Sequence, residues 1–351
     1  MTLEELSLTE VREEAKKKLL GVCGVYKICD GDSNRICQGQ SYGKPIGLGG
    51  IGSGASFNNN VLALKKLKLK MKIIGDHFEA DTKYSFFGKL LSMPIMGASV
   101  SGVYSFGGEK VISEKEFCRS VVLGCKSAGT IGWRGDTYTY SPNNSYGIDA
   151  IVEAGGFGVK IVKPREQEVI IEFFKKAEKA GAIAVGVDVD GCGSYAMLTH
   201  NIPLFKKNLN DLKELVSSTK LPVIVKGIMS LEDAIVAKDA GAAAIVVSNH
   251  GGRALDHTPG TIEVLPEIVA ELEGKIRIFI DGGFRTGYDI LKALAIGAES
   301  VLIGRDIVRA AVGAGIEGVK IHMEYLQKTL ARAMKMTNCY NLKDIGSEIL
   351  H

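Results

Sequence analysis

Four segments in the second half of the chain end short apolar runs in charged or glycine-rich text. They are Lys226, Ser248-Asn249-His250-Gly251-Gly252-Arg253, Asp281-Gly282-Gly283-Phe284-Arg285 and Gly304-Arg305. These residue types support a definite chemistry. Imidazole titrates near neutrality with little tuning, so His250 suits a general base. Arg253, three residues on, offers the bidentate fork that holds a carboxylate best. Gly282, Gly283 and Gly304 let backbone N–H groups approach a phosphate, and Arg285 or Arg305 adds a charged fork. His77, His200, His257, His322 and His351 stand in no such company and receive no role.

These groups can share one mouth only if the runs before them are parallel strands. From about residue 93 the chain alternates Val/Ile-rich runs with amphipathic helical text. The runs fall at 93–98, 129–133, 157–162, 183–189, 222–227, 243–248, 276–281 and 300–304. Their non-alternating apolar character is that of strands covered on both faces. Several intervening helices end in Ala-Gly, the expected C-terminal cap before a returning strand. Eight such units predict a closed α/β structure, a (β/α)8 TIM barrel with its chemistry on the loops after the strands. Residues 1–92 are expected to form an N-terminal extension of helices and loops packed on the barrel. Residues 93–351 are expected to form the barrel as a single domain, with a helix and tail from 315.

Composition excludes several function classes. A net charge of +3 over 351 residues implies no polyanionic partner, so nucleic acid is a poor expectation. No apolar run approaches the roughly 20 residues that span a bilayer. The N-terminus is charged and helix-like, without the apolar core of a signal peptide, so a cytoplasmic protein is expected. The seven cysteines are scattered and odd in number, which fits free thiols. Cys23, Cys29 and Cys37 match no common zinc spacing, and no metal site is expected. Residues 47–52 satisfy GxGxxG on paper. They lack the preceding strand and the βαβ unit that the dinucleotide fingerprint requires, and are read as a flexible turn.

The strings VSNHGGRALDHTPGTIEVLPEI and IDGGFRTGYDILKALAIGAESVLIGR are more specific than any single motif. They resemble the FMN-dependent 2-hydroxy-acid oxidase and dehydrogenase family, closely over 220–345 and more loosely over 90–190. The resemblance implies FMN as cofactor, with a small anionic substrate and a homo-oligomer of tetramer size or larger. It leaves the electron acceptor open. By matching position, His250 takes the substrate hydroxyl proton while hydride passes to flavin N5, and Arg253 grips the carboxylate. Asp188 matches the aspartate that stabilises the imidazolium, and Lys226 the lysine beside flavin N1. Ala98 and Ser99 match the strand-one backbone along the flavin. Ser248, Asp281, Gly282, Gly283, Arg285, Gly304 and Arg305 complete the cofactor set.

The departures from the family fall on the substrate side. The Tyr-Tyr-Ser-Ser-Gly-Ala entry reads Gly50-Ile51-Gly52-Ser53-Gly54-Ala55, so one active-site tyrosine is missing. Strand three reads Gly158-Val159-Lys160 in place of Gln-Leu-Tyr. The connection from Asp188 to Lys226 is short and carries no second arginine. Lys160 is therefore expected to supply part of the missing positive charge, and Lys160→Ala to raise the Michaelis constant for acidic substrates. Pairing of Lys160 with a neighbouring carboxylate is the competing expectation. Two rival functions share the phosphate elements: an FMN-barrel isomerase of the type 2 isopentenyl diphosphate isomerase kind, and a flavin-binding protein without turnover. His250 and Arg253 at the end of the sixth run argue against the first, and the pair of His250 with Asp188 argues against the second.

Overall fold

The computed structural model describes residues 6–23, 29, 37 and 47–351. All eight expected runs form strands. They are β3 (Ile95–Gly97), β4 (Gly132–Arg134), β5 (Gly158–Val162), β6 (Ala184–Asp188), β7 (Val223–Ile228), β8 (Ala244–Val247), β9 (Arg277–Ile280) and β10 (Ser300–Ile303). Neighbours pair in parallel and β10 closes on β3, giving the (β/α)8 barrel. A hairpin of β1 (Tyr84–Phe86) and β2 (Lys89–Leu91) precedes it.

Side chains alternate across each strand with a period of two, so every strand serves two cores. Met96, Ile131, Trp133, Val159, Ile161, Ile224, Val246, Phe279 and Leu302 fill the barrel interior with Phe86 of the hairpin. The Phe86 ring lies 5.7 Å from Phe279 and 6.1 Å from Trp133, plugging the end where the strands begin. The alternate positions, among them Val185, Val225, Ile245, Ile280 and Ile303, face the helices in a second, larger core. Burying each such side chain contributes about 1.5–3 kcal/mol.

Local sequence explains the helices. Gln167–Lys179 buries Ile170, Phe173, Phe174 and Ala177, one stripe at helical spacing. Ser113 and Thr286 cap their helices by accepting from the backbone N–H of Glu116 and Asp289. The Ala-Gly endings behave as expected: Gly181 and Gly241 take φ of +76° and +84° just past their helices. In the N-terminal region, helix Leu8–Leu19 starts on a capping box of Ser7 and Glu10. Helix Ala55–Lys66 crosses the C-terminal ends of the strands. The helical stretch Arg305–Met336 breaks at Ala314 and Gly315.

Candidate active site

A cavity of about 420 Å3 opens at the C-terminal ends of the strands. The two-residue alternation that fills the barrel also builds its floor. Four inward positions, continued by two, deliver a polar group: Ile224 leads to Lys226, Val246 to Ser248, Phe279 to Asp281 and Ile161 to Lys163. Asp188 ends β6 in the same way, two residues beyond Gly186.

These groups form one buried network. Lys226 Nζ lies 3.2 Å from Asp188 Oδ1, 3.0 Å from Ser248 Oγ and 3.5 Å from Asp281 Oδ2. Ser248 donates to Asp281 Oδ1 at 2.6 Å and accepts from the His250 backbone N–H at 3.1 Å. Lys163 Nζ donates to Asp188 Oδ2 at 2.6 Å and lies 3.1 Å from His250 Nε2. His250 Nδ1 faces Asp190 Oδ1 at 2.9 Å, with Asp188 Oδ2 at 3.4 Å. His250 holds this pose at φ +58°, a left-handed backbone that a non-glycine residue adopts at a cost.

Electrostatics separates the two aspartates. Burial would raise the Asp188 carboxyl, but His250, Lys163 and Lys226 hold it well below the usual carboxylate range. Burial and the neighbouring Asp188 charge raise that of Asp190. Burial opposes the Lys226 ammonium, yet Asp188, Asp281 and Asp190 raise its pKa and keep it charged. Asp188, Asp190 and His250 bring ligand atoms within 4.8 Å of one another. Both Asp188 oxygens already accept from lysines, so the cluster is an ion-pair network.

Across the cavity lie Gly282, Gly283, Arg285, Gly304 and Arg305. Gly283 takes φ +86° and packs so closely on Asn60 that a Cβ would stand 2.9 Å from its carbonyl carbon. Arg305 donates to the carbonyls of Gly49 at 3.0 Å and Gly251 at 2.8 Å, and stacks over the Phe57 ring at 4.4 Å. Burial, with Arg253 and Arg285 nearby, pushes the Arg305 guanidinium down to about 9. Burial pushes Arg253 down to about 10. An anion placed among these guanidiniums is favoured.

A family model described as FMN-dependent dehydrogenase matches residues 47–195 and 197–351. The chain belongs to the FMN-dependent dehydrogenase family. A 2-hydroxyacid oxidase of Dictyostelium discoideum is 32% identical over 98% of this chain and 90% of its own length. The human 2-hydroxyacid oxidase 1 is 32% identical over 83% of this chain and 87% of its own length. A crystal structure of mandelate oxidase superposes with a TM-score of 0.76 at 27% identity, covering 98% of this chain and 97% of that one. Family membership bears out the expected flavin cofactor and oxidoreductase class.

Against that family pattern, the structure gathers Ala98, Ser99, Lys226, His250, Arg253, Asp281, Gly282, Gly283, Arg285, Gly304 and Arg305 around the cavity. Asp188 and Ser248 lie just beneath, holding Lys226. Lys160 does not join them, which corrects the expectation of a substrate contact. Val159 and Ile161 point into the barrel, so alternation turns Lys160 outward against the helices. It is fully buried there, donating to the Gly135 carbonyl, with the Tyr140 and Phe173 rings each 5.2 Å away. Lys163, which the sequence reading passed over, brings the charge to the cavity instead. Asp190 and Asn60 were passed over too. Asn60 accepts from the Thr261 backbone N–H at 3.0 Å and donates to Asn249 at 2.9 Å. The turn at 47–52 lies against two of the arginines. Its carbonyls at Gly47, Leu48 and Gly49 accept from Arg253 and Arg305.

Proposed function

We propose that this chain oxidises an anionic 2-hydroxy acid to the 2-oxo acid, with His250 as the base. The observation that carries this reading is the pose of His250. Its Nδ1 is held by Asp190, its Nε2 faces the cavity, and Arg253 and the glycine-arginine cradle stand around the same space.

The residues present fit FMN. A Cβ at Gly304 would meet nothing within 4 Å, so this backbone borders open space. Ser99 Oγ, in the cavity wall, is buried without a hydrogen-bond partner. Gly282, Gly283, Gly304, Arg285 and Arg305 would hold the phosphate, and Ala98 and Ser99 would lie along the ring system. FMN, when bound, supplies the hydride acceptor.

The chain's own residues do the rest. His250 Nε2 takes the hydroxyl proton, and the ionised Asp188 beside it favours the imidazolium that results. Asp190 fixes the ring's orientation through Nδ1. Arg253 binds the carboxylate and so orients the carbon that loses hydride. Lys226 keeps a fixed positive charge at the floor of the cavity. A cytoplasmic location belongs to the same reading, and no described helix is long and apolar enough to cross a membrane. The exposed strip of Met71, Ile73 and Ile74 supports self-association.

The test is spectroscopic. The purified protein should carry FMN and bleach without oxygen when given a suitable 2-hydroxy acid. His250→Gln should keep its flavin and bleach about 10²–10⁴-fold more slowly. Failure of the wild type to retain added FMN, or equal bleaching by the variant, overturns the proposal.

A further inference from the structure

Lys163 stands one residue past β5, and three features aim it. Its backbone N–H donates to Asp136 Oδ2 at 3.2 Å, and Asp136 is itself clamped by Arg165 Nε at 2.7 Å and Nη2 at 2.9 Å. Its stem passes over Gly191, where a Cβ would stand 2.7 Å from Lys163 Cδ. Its ammonium is anchored on Asp188 at 2.6 Å. The residue is only 4% exposed, yet it lines the cavity.

The second contact of that ammonium is the informative one. His250 Nδ1 lies 2.9 Å from Asp190 Oδ1, and it is the donor at Nε2 that sets the tautomer, with the lone pair on Nε2 and the ring proton on Nδ1. The ammonium has no acceptor capacity, so at 3.1 Å it donates to Nε2. Lys163 thus occupies the place that a hydroxyl must take to give its proton to His250. A hydroxyl seated there brings its oxygen within reach of the same ammonium.

We infer that Lys163 is the ligand of the substrate's hydroxyl oxygen, shifting its donor from Nε2 to that oxygen when substrate enters. The inference rests on the reading of His250 as the base. As the proton passes to Nε2, negative charge grows on the oxygen, and a charged donor already anchored by Asp188 stabilises it without reorganising. The same ammonium then donates to the ketone oxygen of the 2-oxo acid. A charge-assisted donor of this kind is roughly twice as strong as a neutral one, so one lysine replaces a missing tyrosine hydroxyl. Arg253 differs in kind, because the carboxylate it holds is charged before and during the reaction.

The difference sets the test, made on the FMN-loaded protein with Lys163→Met, Lys163→Gln and Lys163→Arg. A donor that matters most in the transition state lowers the limiting rate and leaves half-saturation nearly unchanged. Lys163→Met and Lys163→Gln should slow anaerobic bleaching about 10²–10³-fold. The hydroxy-acid concentration for half the limiting rate should stay within about threefold, and Lys163→Arg should recover part of the rate. A parallel titration with the 2-oxo acid, read by the change in flavin absorbance, should show binding weakened about tenfold in Lys163→Met. If Lys163→Met does not fold, Lys163→Gln and Lys163→Arg carry both measurements. A limiting rate within threefold of wild type overturns the inference, as does a loss confined to half-saturation. If no hydroxy acid bleaches the wild type, the base reading falls, and the titration still decides Lys163. Equal 2-oxo-acid binding by wild type and variant, or binding by neither, then overturns it.

Discussion

Asp190 Oδ1 lies 2.9 Å from His250 Nδ1, nearer than Asp188 Oδ2 at 3.4 Å, so two carboxyls address one ring nitrogen. They are not equivalent. Both Asp188 oxygens also accept from buried lysines, whereas Asp190 reaches the ring and leaves Oδ2 buried without a partner. Asp188→Asn should therefore cost stability as well as rate, because it also removes the charge that favours the imidazolium. Leaving the buried Lys163 charge without its carboxylate, and Lys226 with Asp281 as its remaining ion pair, costs about 3–5 kcal/mol. Asp190→Ala should cost about 1 kcal/mol or less, because only one hydrogen bond is lost. Its effect should instead be a slower bleaching rate, by about 10²-fold, as His250 loses its orientation. Urea unfolding of both variants beside their bleaching rates checks this. Equal stability losses would contradict the division of roles.

Lys160 supports the opposite prediction from the one its sequence position suggested. It faces the helices, so Lys160→Met should leave half-saturation for the hydroxy acid within about twofold. Its effect belongs to stability and pH. Burial pushes the Lys160 ammonium down to about 8 from the ordinary lysine value. For a base with a lowered folded pKa, the neutral form is the stable one. Stability is greatest above the unfolded value near 10.4 and is lost as pH falls to about 8. Wild type should gain stability relative to Lys160→Met as pH rises from 8 toward 10. A flat difference across that range, or a raised half-saturation, would return Lys160 to the substrate.

The two lysines show what could be read from the chain before folding and what could not. Strand order, closure and the polar ends of β7 to β10 follow from apolar runs and the residues just beyond them. Which side a strand residue faces depends on register, and one step of slip exchanges the faces. Counting by twos from Val159 through Ile161 reaches Lys163 and bypasses Lys160. That signal was present in the sequence, but the alignment with the family's Gln-Leu-Tyr obscured it. Asp190 is different. It lies on the 3-10 turn Val189–Gly193, and reaches His250 because Gly227, at φ +99°, leaves room where a Cβ would stand 2.5 Å from Asp190 Cγ. Asn60 belongs to a helix nearly 190 residues from its partner Asn249, and no local pattern joins them.

His322 gives a prediction far from the cavity. Sequence assigned it no role, and the structure buries it on the terminal helix beside Asp306, Arg309 and Arg12, with Nε2 lacking a hydrogen-bond partner. Burial pushes the imidazole down to about 4. Asp306 opposes this, while Arg12, Arg309 and Arg285 add to it. The folded protein therefore holds His322 neutral where the unfolded chain would already be protonated. Stability from this residue is fully present above the unfolded value near 6.5 and is lost progressively as pH falls toward 4. The shift corresponds to a loss on the order of 3 kcal/mol across that window. His322→Gln cannot titrate, so it should lose less stability than wild type between pH 6.5 and pH 4.5. Urea midpoints at three pH values in that interval measure the difference. Parallel curves for the two proteins would show that His322 accepts its proton without cost, and would refute the burial argument.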